Sequence, residues 1–272
     1  MKKYLSLLPM LTILLFITAC QKQDLQPNES LVSSSKQKKS LSLQEEKTNT
    51  FYGPQVHIGD GKGRSWIRIT HTGKPEEIGI EMTADALNGL AMDDHVTWDL
   101  PLHQKAKAVT PFDHINVNWN PHGHPPEIFF SAPHFDFHFY MISEEERMSI
   151  PAWSPATDAL FNNYPPPGYM PVDYSTPPGP DGSEPEMGKH WLPPPPTFLP
   201  FTKVMILGTY NGKFNFIEPM ITLNYLQSKT NSSQPYSQPA LFEHTGKYYP
   251  TIMNIYYENG KHYVSLSGFV IR

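Results

Sequence analysis

Residues 119–141 read WNPHGHPPEIFFSAPHFDFHFYM, and the second half of this stretch alternates strictly between two kinds of side chain. One parity holds His134, Asp136, His138 and Tyr140, and the other holds Phe135, Phe137, Phe139 and Met141. A period of two with aromatic residues on one side is typical of a half-buried β-strand. The sequence therefore predicts a strand whose aromatic face packs into a core and whose other face presents imidazole and carboxylate groups.

The polar face of this strand consists of groups that bind transition metals. Neutral imidazole and carboxylate are common ligands of zinc, iron, copper and manganese. A rise of about 3.3 Å per residue places residues i and i+2 about 6.6 Å apart, and residues i and i+4 about 13 Å apart. Asp136 can therefore share an ion with His134 or with His138, while the two histidines meet only if the strand bends. The alternative interpretation is a polar cavity wall, with the histidines hydrogen-bonded to each other and to Tyr140.

Further histidines and acids extend the predicted site. Glu218 lies in an apolar run, where an unpaired carboxylate would be costly, so we expect it to have a cationic partner. We predict one divalent transition metal (Zn, Fe, Cu or Mn) with ligands drawn from His134, Asp136, His138, His190 and Glu218, while His122 and His124 bind the ion or support its ligands. Three further residues are expected to support the metal site. Glu127 and Tyr140 would transfer protons, and Trp191 would lie beside the ligands.

The N-terminal segment, residues 1–19, predicts a lipoprotein signal peptide. Two lysines precede an apolar stretch that ends in Ile17-Thr18-Ala19-Cys20, which is the form of a secretory signal. The ending resembles the bacterial lipobox, after which Cys20 becomes the lipidated N-terminus; an ordinary signal peptide or a short membrane anchor is the alternative. The glutamine after Cys20 favours the outer membrane if the bacterium is Gram-negative. Because Cys20 is the only cysteine, the exported domain forms no internal disulfide and offers no thiolate.

The rest of the chain divides into a tether and one domain. Residues 20–50 are polar and show no hydrophobic periodicity, which predicts a flexible lipidated tether, and residues 51–272 have the size of a single β-rich domain. The formal charge is −5, and it becomes more negative when the two lysines of the signal are removed. An acidic domain without an extended basic run is a poor candidate for binding nucleic acid. The lipid is then the expected contact with the membrane, because no second apolar run has membrane-spanning length.

The pattern of short runs and turns predicts a mainly β fold. Strand-like runs recur at residues 55–58, 65–71, 78–82, 95–100 and 113–118. Asn211-Gly212 and Asn259-Gly260 each separate two alternating runs, which predicts two hairpins with type I′ turns. Ser143 followed by Glu146 predicts a capping box at the start of a short helix. We expect a single β-barrel or β-sandwich domain with short helices.

Residues 164–200 contain 13 of the 29 prolines and are therefore expected to form neither a helix nor a central strand. A disordered insert and a partner-binding polyproline segment are the alternatives. We expect instead a long ordered loop that wraps the barrel and brings His190 to the site. Its aromatic side chains give it apolar surface to bury: Tyr164, Tyr169, Tyr174, Trp191 and Phe198.

Four motifs carry a resemblance to a known family: HGHPPE at 122–127, PHFDFHFY at 133–140, GKHW at 188–191 and FIEPMIT at 216–222. They resemble an uncharacterised family of exported bacterial proteins, a TTHB-type domain of unknown function named after a Thermus protein under sigma-E control. The resemblance extends over residues 51–226 and implies a β fold but no reaction. The layout is also similar to a cupin, in which a His-x-His pair, an acid and a later histidine hold a metal inside a barrel. Because Pro125 and Pro126 separate His124 from the next acid, the cupin-like reading is an analogy.

The leading hypothesis is an envelope lipoprotein with a metal site made of histidine and carboxylate. If an open coordination position activates water or dioxygen, the site is also catalytic. The alternative is a non-enzymatic binding or assembly module for glycan, peptide or sister subunits, with structural histidines. The sequence leaves the small-molecule substrate and homo-oligomerisation open. Histidines that converge inside the fold favour the first hypothesis, and histidines scattered over the surface favour the second.

Overall fold

The structure is a computed structural model and describes residues 47–272. The predicted signal peptide at 1–19, the lipidation of Cys20 and the tether up to residue 46 lie outside the described residues. The first strand, β1, covers Thr48–Tyr52, so regular structure begins shortly before the predicted domain boundary at Phe51. Two seven-stranded antiparallel sheets, curled into a half-barrel, make up most of this part of the chain, which confirms the prediction of a mainly β fold.

The first sheet has the strand order β1-β3-β4-β15-β14-β12, and β2 pairs with β3 beside this path. Its other strands are β2 (Val56–Ile58), β3 (Gly61–Thr70), β4 (Pro75–Thr83), β12 (Ser232–Pro235), β14 (Ile252–Glu258) and β15 (Lys261–Ser267). A short pair, β13 (Tyr248–Tyr249) with β16 (Val270–Ile271), lies beside the two main sheets. The first sheet therefore contains strands from the N-terminal and the C-terminal parts of the described chain.

The second sheet has the strand order β5-β6-β7-β11-β10-β9-β8. Its strands are β5 (Val96–Pro101), β6 (His114–Asn120), β7 (His134–Tyr140), β8 (Ser183–Glu184), β9 (Gly188–Trp191), β10 (Lys203–Tyr210) and β11 (Lys213–Thr222). The predicted central strand, β7, pairs with β6 on one side and with β11 on the other. The short helices are α1 (Gln104–Val109), α2 (Glu127–Phe130), α3 (Glu144–Met148), α4 (Asp158–Phe161) and α5 (Leu223–Gln227), with 3-10 turns at Ala84–Leu87 and Pro195–Thr197.

The core lies between the facing surfaces of the two sheets. One cluster of buried side chains includes Ile67, Ile78 and Val264 from the first sheet, and Phe137 and Ile217 from the second. Phe135 and Phe139 belong to the same cluster, and all three phenylalanines of β7 are 0% exposed. The parity predicted for β7 is thus confirmed, but the prediction of a half-buried strand is wrong, because all seven residues of β7 are buried. The other face of the strand is turned away from this core, and it carries the candidate site.

Both predicted hairpins are present. β10 and β11 are joined at Asn211-Gly212, where φ is +48° and +81°, and β14 and β15 are joined at Asn259-Gly260, where φ is +49° and +78°. Two consecutive residues with positive φ are what a type I′ turn requires, and its twist matches that of the flanking strands. The first of these turns joins the strand that carries Glu218, β11, to β10, and the pairing of the two strands shifts by one residue between Thr209↔Phe214 and Gly208↔Phe216.

The proline-rich segment is built into the second sheet. Its residues 183–191 supply the last two strands of the sheet, with β8 at the edge and β9 paired on one side with β8 and on the other with β10 through Gly208↔His190, so the expectation that this segment forms no inner strand is wrong at β9. Tyr174 is buried and donates a hydrogen bond to the carbonyl of Met205 at 2.8 Å. Residues 186–192 can form a paired strand because they contain no proline. His190 is therefore carried by a paired strand, β9, within the wrapping loop.

The helix after β7 begins as predicted, but its capping box is only half formed. The hydroxyl of Ser143 accepts a hydrogen bond from the amide of Glu146 at 3.1 Å. The carboxylate of Glu146 instead accepts from Lys213 Nζ at 2.6 Å, which links α3 to β11. Within residues 47–272, no helix is long and apolar enough to cross a membrane.

Candidate metal centre

Strand register assembles the polar residues into rows across the outer face of the second sheet. On β7, His138 lies opposite Asn116 of β6, and Asp136 lies opposite Asn118. On the other side, β11 pairs Ile217 with Phe139, so the same register sets Glu218 opposite His138. Side chains of adjacent strands on one face lie about 5 Å apart. The antiparallel pairing therefore brings a carboxylate from a distant part of the chain beside the histidine of β7.

The first group of possible ligands, the Asp136 triad, consists of His124, His134 and Asp136. His134 Nε2 lies 3.2 Å from Asp136 Oδ1, and His124 Nε2 lies 3.6 Å from Asp136 Oδ2. One ligand atom of each residue lies within 4.8 Å of the others. Each oxygen of the aspartate therefore faces a different imidazole.

The second group, the Glu218 triad, consists of His138, His190 and Glu218. His138 Nε2 lies 3.4 Å from Glu218 Oε1, and His190 Nε2 lies 3.7 Å from Glu218 Oε2. The three residues come from β7, β9 and β11, so the group exists only in the folded chain. Their side chains are 1%, 15% and 2% exposed, respectively, which makes this triad almost fully buried.

Backbone carbonyls fix the tautomer that three of the four histidines adopt when their rings are neutral. Nδ1 of His134 lies 2.6 Å from the carbonyl of Ala132, and Nδ1 of His124 lies 2.8 Å from that of Pro125. His190 makes the same contact with Gly182 at 3.1 Å. A carbonyl oxygen only accepts, so Nδ1 carries the hydrogen and Nε2 of the neutral ring carries a lone pair. In all three residues that lone pair faces a carboxylate oxygen.

Two acceptors that face each other repel unless a proton or a cation lies between them. Eleven buried side-chain nitrogen and oxygen atoms within residues 47–272 have no hydrogen-bond partner, and five of them belong to the two triads. They are His134 Nε2, Asp136 Oδ1, Glu218 Oε2 and both ring nitrogens of His138. Each such atom costs about 1–3 kcal/mol when it is left unsatisfied. The unpaired atoms are thus concentrated where a metal ion would use them.

The electrostatics of the two triads differ. Burial, with a smaller contribution from the Asp136 carboxylate, raises the pKa of Glu218 well above its usual range. Burial also lowers the pKa of His138 to about 3 and that of His190 to about 4. Without a cation, burial therefore favours the protonated carboxyl group of Glu218 and the neutral imidazoles of His138 and His190.

In the Asp136 triad the neighbouring histidines favour the ionised form of the Asp136 carboxylate. Burial alone would raise the pKa of Asp136, but the neighbouring His134 and His124 outweigh it and hold that pKa far below its usual range. Burial likewise opposes protonation of His124, yet its attraction to Asp136 raises its pKa. Asp136 is therefore an ionised carboxylate buried beside two imidazoles.

A supporting chain behind Asp136 was not predicted from the sequence. Asn120 Nδ2 donates to Asp136 Oδ2 at 2.6 Å, and Asn120 Oδ1 is in turn 2.6 Å from His95 Nδ1. Metal-binding groups are usually oriented by hydrogen bonds of this kind. The signal was present in the sequence as Asn116, Asn118 and Asn120, which alternate along β6 with the same period as the histidines of β7.

The structure separates the predicted ligands into two sets rather than one. His134 and His138 belong to different triads because the i to i+4 spacing along β7 spans about 13 Å. His190 and Glu218 join His138 as expected, and His124 joins His134 and Asp136. His122 is exposed and lies outside both triads. The residues from which the ligands of one ion were predicted to be drawn thus form two possible sites.

The three predicted assisting residues do not reach the triads with a proton-carrying group. Glu127 is exposed at the start of α2. The hydroxyl of Tyr140 donates to the carbonyl of Glu186 at 3.3 Å, while its ring stacks on His138 with centroids 5.6 Å apart. Trp191 Nε1 donates to Thr209 Oγ1 at 2.8 Å. Tyr140 therefore supports the site by packing, and Trp191 anchors β9, the strand that carries His190.

Comparison with known proteins gives one family. Residues 70–119 match the family model described as TTHB210-like, hypothetical protein TTHB210. No curated protein and no solved structure matches the chain. The matched segment runs from the end of β3 to β6, and it is shorter than the predicted range of 51–226 and ends before the histidine motifs. Over residues 70–119, the chain has the similarity to this uncharacterised TTHB-type family that its sequence predicted.

Proposed function

We propose that this protein binds a divalent transition metal, held by the Glu218 triad. The observation that carries the proposal is the orientation of His190, whose Nδ1 is tied to the Gly182 carbonyl and whose Nε2 faces the buried carboxylate of Glu218. A histidine that binds a metal through one nitrogen commonly donates its other N–H to a carbonyl or carboxylate. The same arrangement recurs at His124 and His134 in the neighbouring triad.

The ligand types favour a transition metal over calcium or magnesium. Each triad offers two imidazoles and one carboxylate. Calcium and magnesium prefer oxygen ligands, whereas imidazole suits zinc, iron, copper and nickel. The proposed ion is therefore zinc or a redox-active metal of similar size, such as iron, copper or manganese.

The Glu218 triad has the features of a site that retains its ion. All three residues lie on hydrogen-bonded strands of one sheet, which fixes their separations before any ion arrives. Two imidazoles and one carboxylate also leave further coordination positions for water or substrate, as in metal sites that catalyse reactions. A catalytic role is thus part of the proposal, with a metal-bound water or dioxygen as the reactant.

The alternative of a binding or assembly module with structural histidines is less well supported. It predicts histidines scattered over the surface, whereas His134 and His138 are 0% exposed and face carboxylates. A location in the cell envelope through lipid on Cys20 remains part of the proposal, and its support is the sequence of the first 20 residues.

The test is the metal content of protein purified without a histidine tag. After exposure to a mixed pool of zinc, iron, copper and manganese, the wild type should retain ion through dialysis, as measured by elemental analysis. His190→Ala and Glu218→Gln should lose the ion of the Glu218 triad. His122→Ala is the matched control, since it removes an exposed histidine outside both triads, and it should retain wild-type content. A wild type that retains no metal contradicts the proposal.

A further inference from the structure

We propose that the Asp136 triad is a second metal site, and that an ion from solvent binds there first and then passes to the Glu218 triad. The inference rests on the proposed function of the Glu218 triad. It adds a second bound ion and a route of loading.

The two triads are adjacent on one strand. Asp136 and His138 point to the same face of β7 and are two residues apart, which corresponds to about 6.6 Å along the strand. Glu218 lies opposite His138 on β11, and Met220 of the same strand lies opposite Asp136. An ion released by Asp136 therefore has the ligands of the Glu218 triad within one strand repeat, without crossing the core.

One ligand of the Asp136 triad, His124, is more exposed than every ligand of the Glu218 triad. The His124 side chain is 32% exposed, whereas Asp136 and His134 beside it are 6% and 0% exposed. In the Glu218 triad the largest exposure is the 15% of His190. Among the six residues, His124 is therefore the ligand that an ion in solvent meets first.

His124 also differs from the other five ligands in the element that carries it. It lies in the loop between β6 and α2, while His134, Asp136 and His138 lie on β7, and His190 and Glu218 lie on β9 and β11. Two backbone hydrogen bonds hold the loop, from His124 to the Phe130 carbonyl at 3.1 Å and from Gly123 to the Asn120 carbonyl at 3.3 Å. A ligand on a loop exchanges more readily than ligands fixed in a sheet. The Asp136 triad should therefore bind its ion more weakly than the Glu218 triad does.

Asp136 has the bonding needed for a transfer step. Its Oδ1 faces His134 and its Oδ2 faces His124, and Asn120 donates to Oδ2 at 2.6 Å. The transfer is a ligand exchange without redox change. The bonds from the ion to the Asp136 triad would break as those to His138, His190 and Glu218 form, and the neutral imidazoles would bind through their lone pairs, so the only proton to leave for solvent would be that of a protonated Glu218 carboxyl group.

The inference can be tested with cobalt(II) chloride added to metal-free, untagged protein. Visible absorption would follow the loading, and elemental analysis would give the stoichiometry. Two equivalents should bind to the wild type. His124→Ala should bind one equivalent, held by the Glu218 triad. At equilibrium it should hold this ion as tightly as the wild type holds the ion of its own Glu218 triad, but it should load the ion at least about tenfold more slowly. His124→Gln provides a second variant with a side chain of similar size, and His122→Ala serves as the control with wild-type kinetics.

The outcomes separate this inference from the proposed function. Glu218→Gln should bind one equivalent rapidly and release it easily on dialysis. If His124→Ala and His124→Gln load the buried ion as fast as the wild type, the loading route is wrong, and a wild type with one equivalent excludes the second site. In both cases the proposed function stands. If no cobalt binds at all, the proposed function fails as well.

Discussion

Glu218 Oε1 lies 3.4 Å from His138 Nε2 on the neighbouring strand, and both side chains are almost fully buried. Because β7 and β11 are antiparallel, this contact depends on the register set by Phe216↔Tyr140 and Ile217↔Phe139. The opposite faces of the two strands carry Phe139 and Ile217 into the main core. The packing that stabilises the sheet therefore also holds the two proposed metal ligands together.

Substitutions on the two faces of β7 should have separable effects. Phe137→Ala should lower the free energy of unfolding by about 3–5 kcal/mol with or without metal, because it leaves a cavity in the core. His138→Ala should chiefly remove the stabilisation that depends on metal concentration, which follows mass action. Denaturant unfolding with added zinc and with a chelator measures both. A chelator effect that is equal in His138→Ala and the wild type would contradict this assignment.

Glu218→Gln should change stability in opposite directions with and without metal. Burial raises the pKa of Glu218 above its unfolded value, so the folded state binds more protons than the unfolded state and loses stability as pH rises through that interval. The neutral glutamine removes this loss. Metal-free Glu218→Gln should therefore be more stable than metal-free wild type at pH 8, and the difference should shrink towards pH 4.5. With zinc present the order should reverse, because the variant lacks a ligand.

The comparison for Glu218 is made by denaturant unfolding at the two pH values, with and without chelator. Glu127→Gln is a suitable control, because Glu127 is exposed and outside both triads. It should have no effect on stability in any of the four conditions. An E218Q variant that is less stable than metal-free wild type at pH 8 would show that the carboxylate has a favourable partner other than a metal.

Acid should destabilise the metal-free protein through its buried histidines. The pKa of His190 is lowered to about 4 by burial, below its value of about 6.5 in the unfolded chain. Between these values the unfolded state binds more protons, so this contribution to stability is present above pH 6.5 and is lost as pH falls towards 4. His190→Gln should therefore show a shallower loss of stability over this range. Parallel pH profiles for His190→Gln and the wild type would refute the prediction.

Lipidation of Cys20 can be tested independently of the metal. The ending Ile17-Thr18-Ala19-Cys20 predicts cleavage before Cys20 and acylation of its thiol and amine. Intact-mass analysis of protein extracted from membranes should give a mature form that begins at diacylated Cys20, and Cys20→Ser should release the protein from the membrane. A mature form with another N-terminus, or a Cys20→Ser variant that stays with the membrane, would contradict it.

The sequence predicted the parts of the site that depend on local pattern. Strict alternation in 134–141 was enough to assign the two faces of β7, because side chains of a strand point alternately to its two sides. The Asn-Gly turns were equally predictable, because few pairs of residues adopt two consecutive positive φ values. Glu218 was identified by the cost of burying a carboxylate and His190 by its place in a loop expected to wrap the barrel, and both lie with His138 in one triad.

The division into two triads could not be predicted, because it depends on contacts between distant residues. Which histidines Glu218 meets is decided by the register of β7, β11 and β9. The choice between His122 and His124 depends on the turn at Gly123, where φ is +70°, and on the hydrogen bond from His124 to Phe130. Nothing in the sequence distinguishes the two histidines by type or neighbourhood, and only the folded loop turns one of them towards Asp136.

The most direct test of a metal at the Glu218 triad is anomalous X-ray scattering from a crystal of the untagged protein loaded with zinc. Data collected on both sides of the zinc absorption edge should give a peak about 2.0–2.2 Å from His138 Nε2, His190 Nε2 and a Glu218 oxygen. A crystal with zinc only at exposed histidines such as His122, and none at the Glu218 triad, would contradict the account.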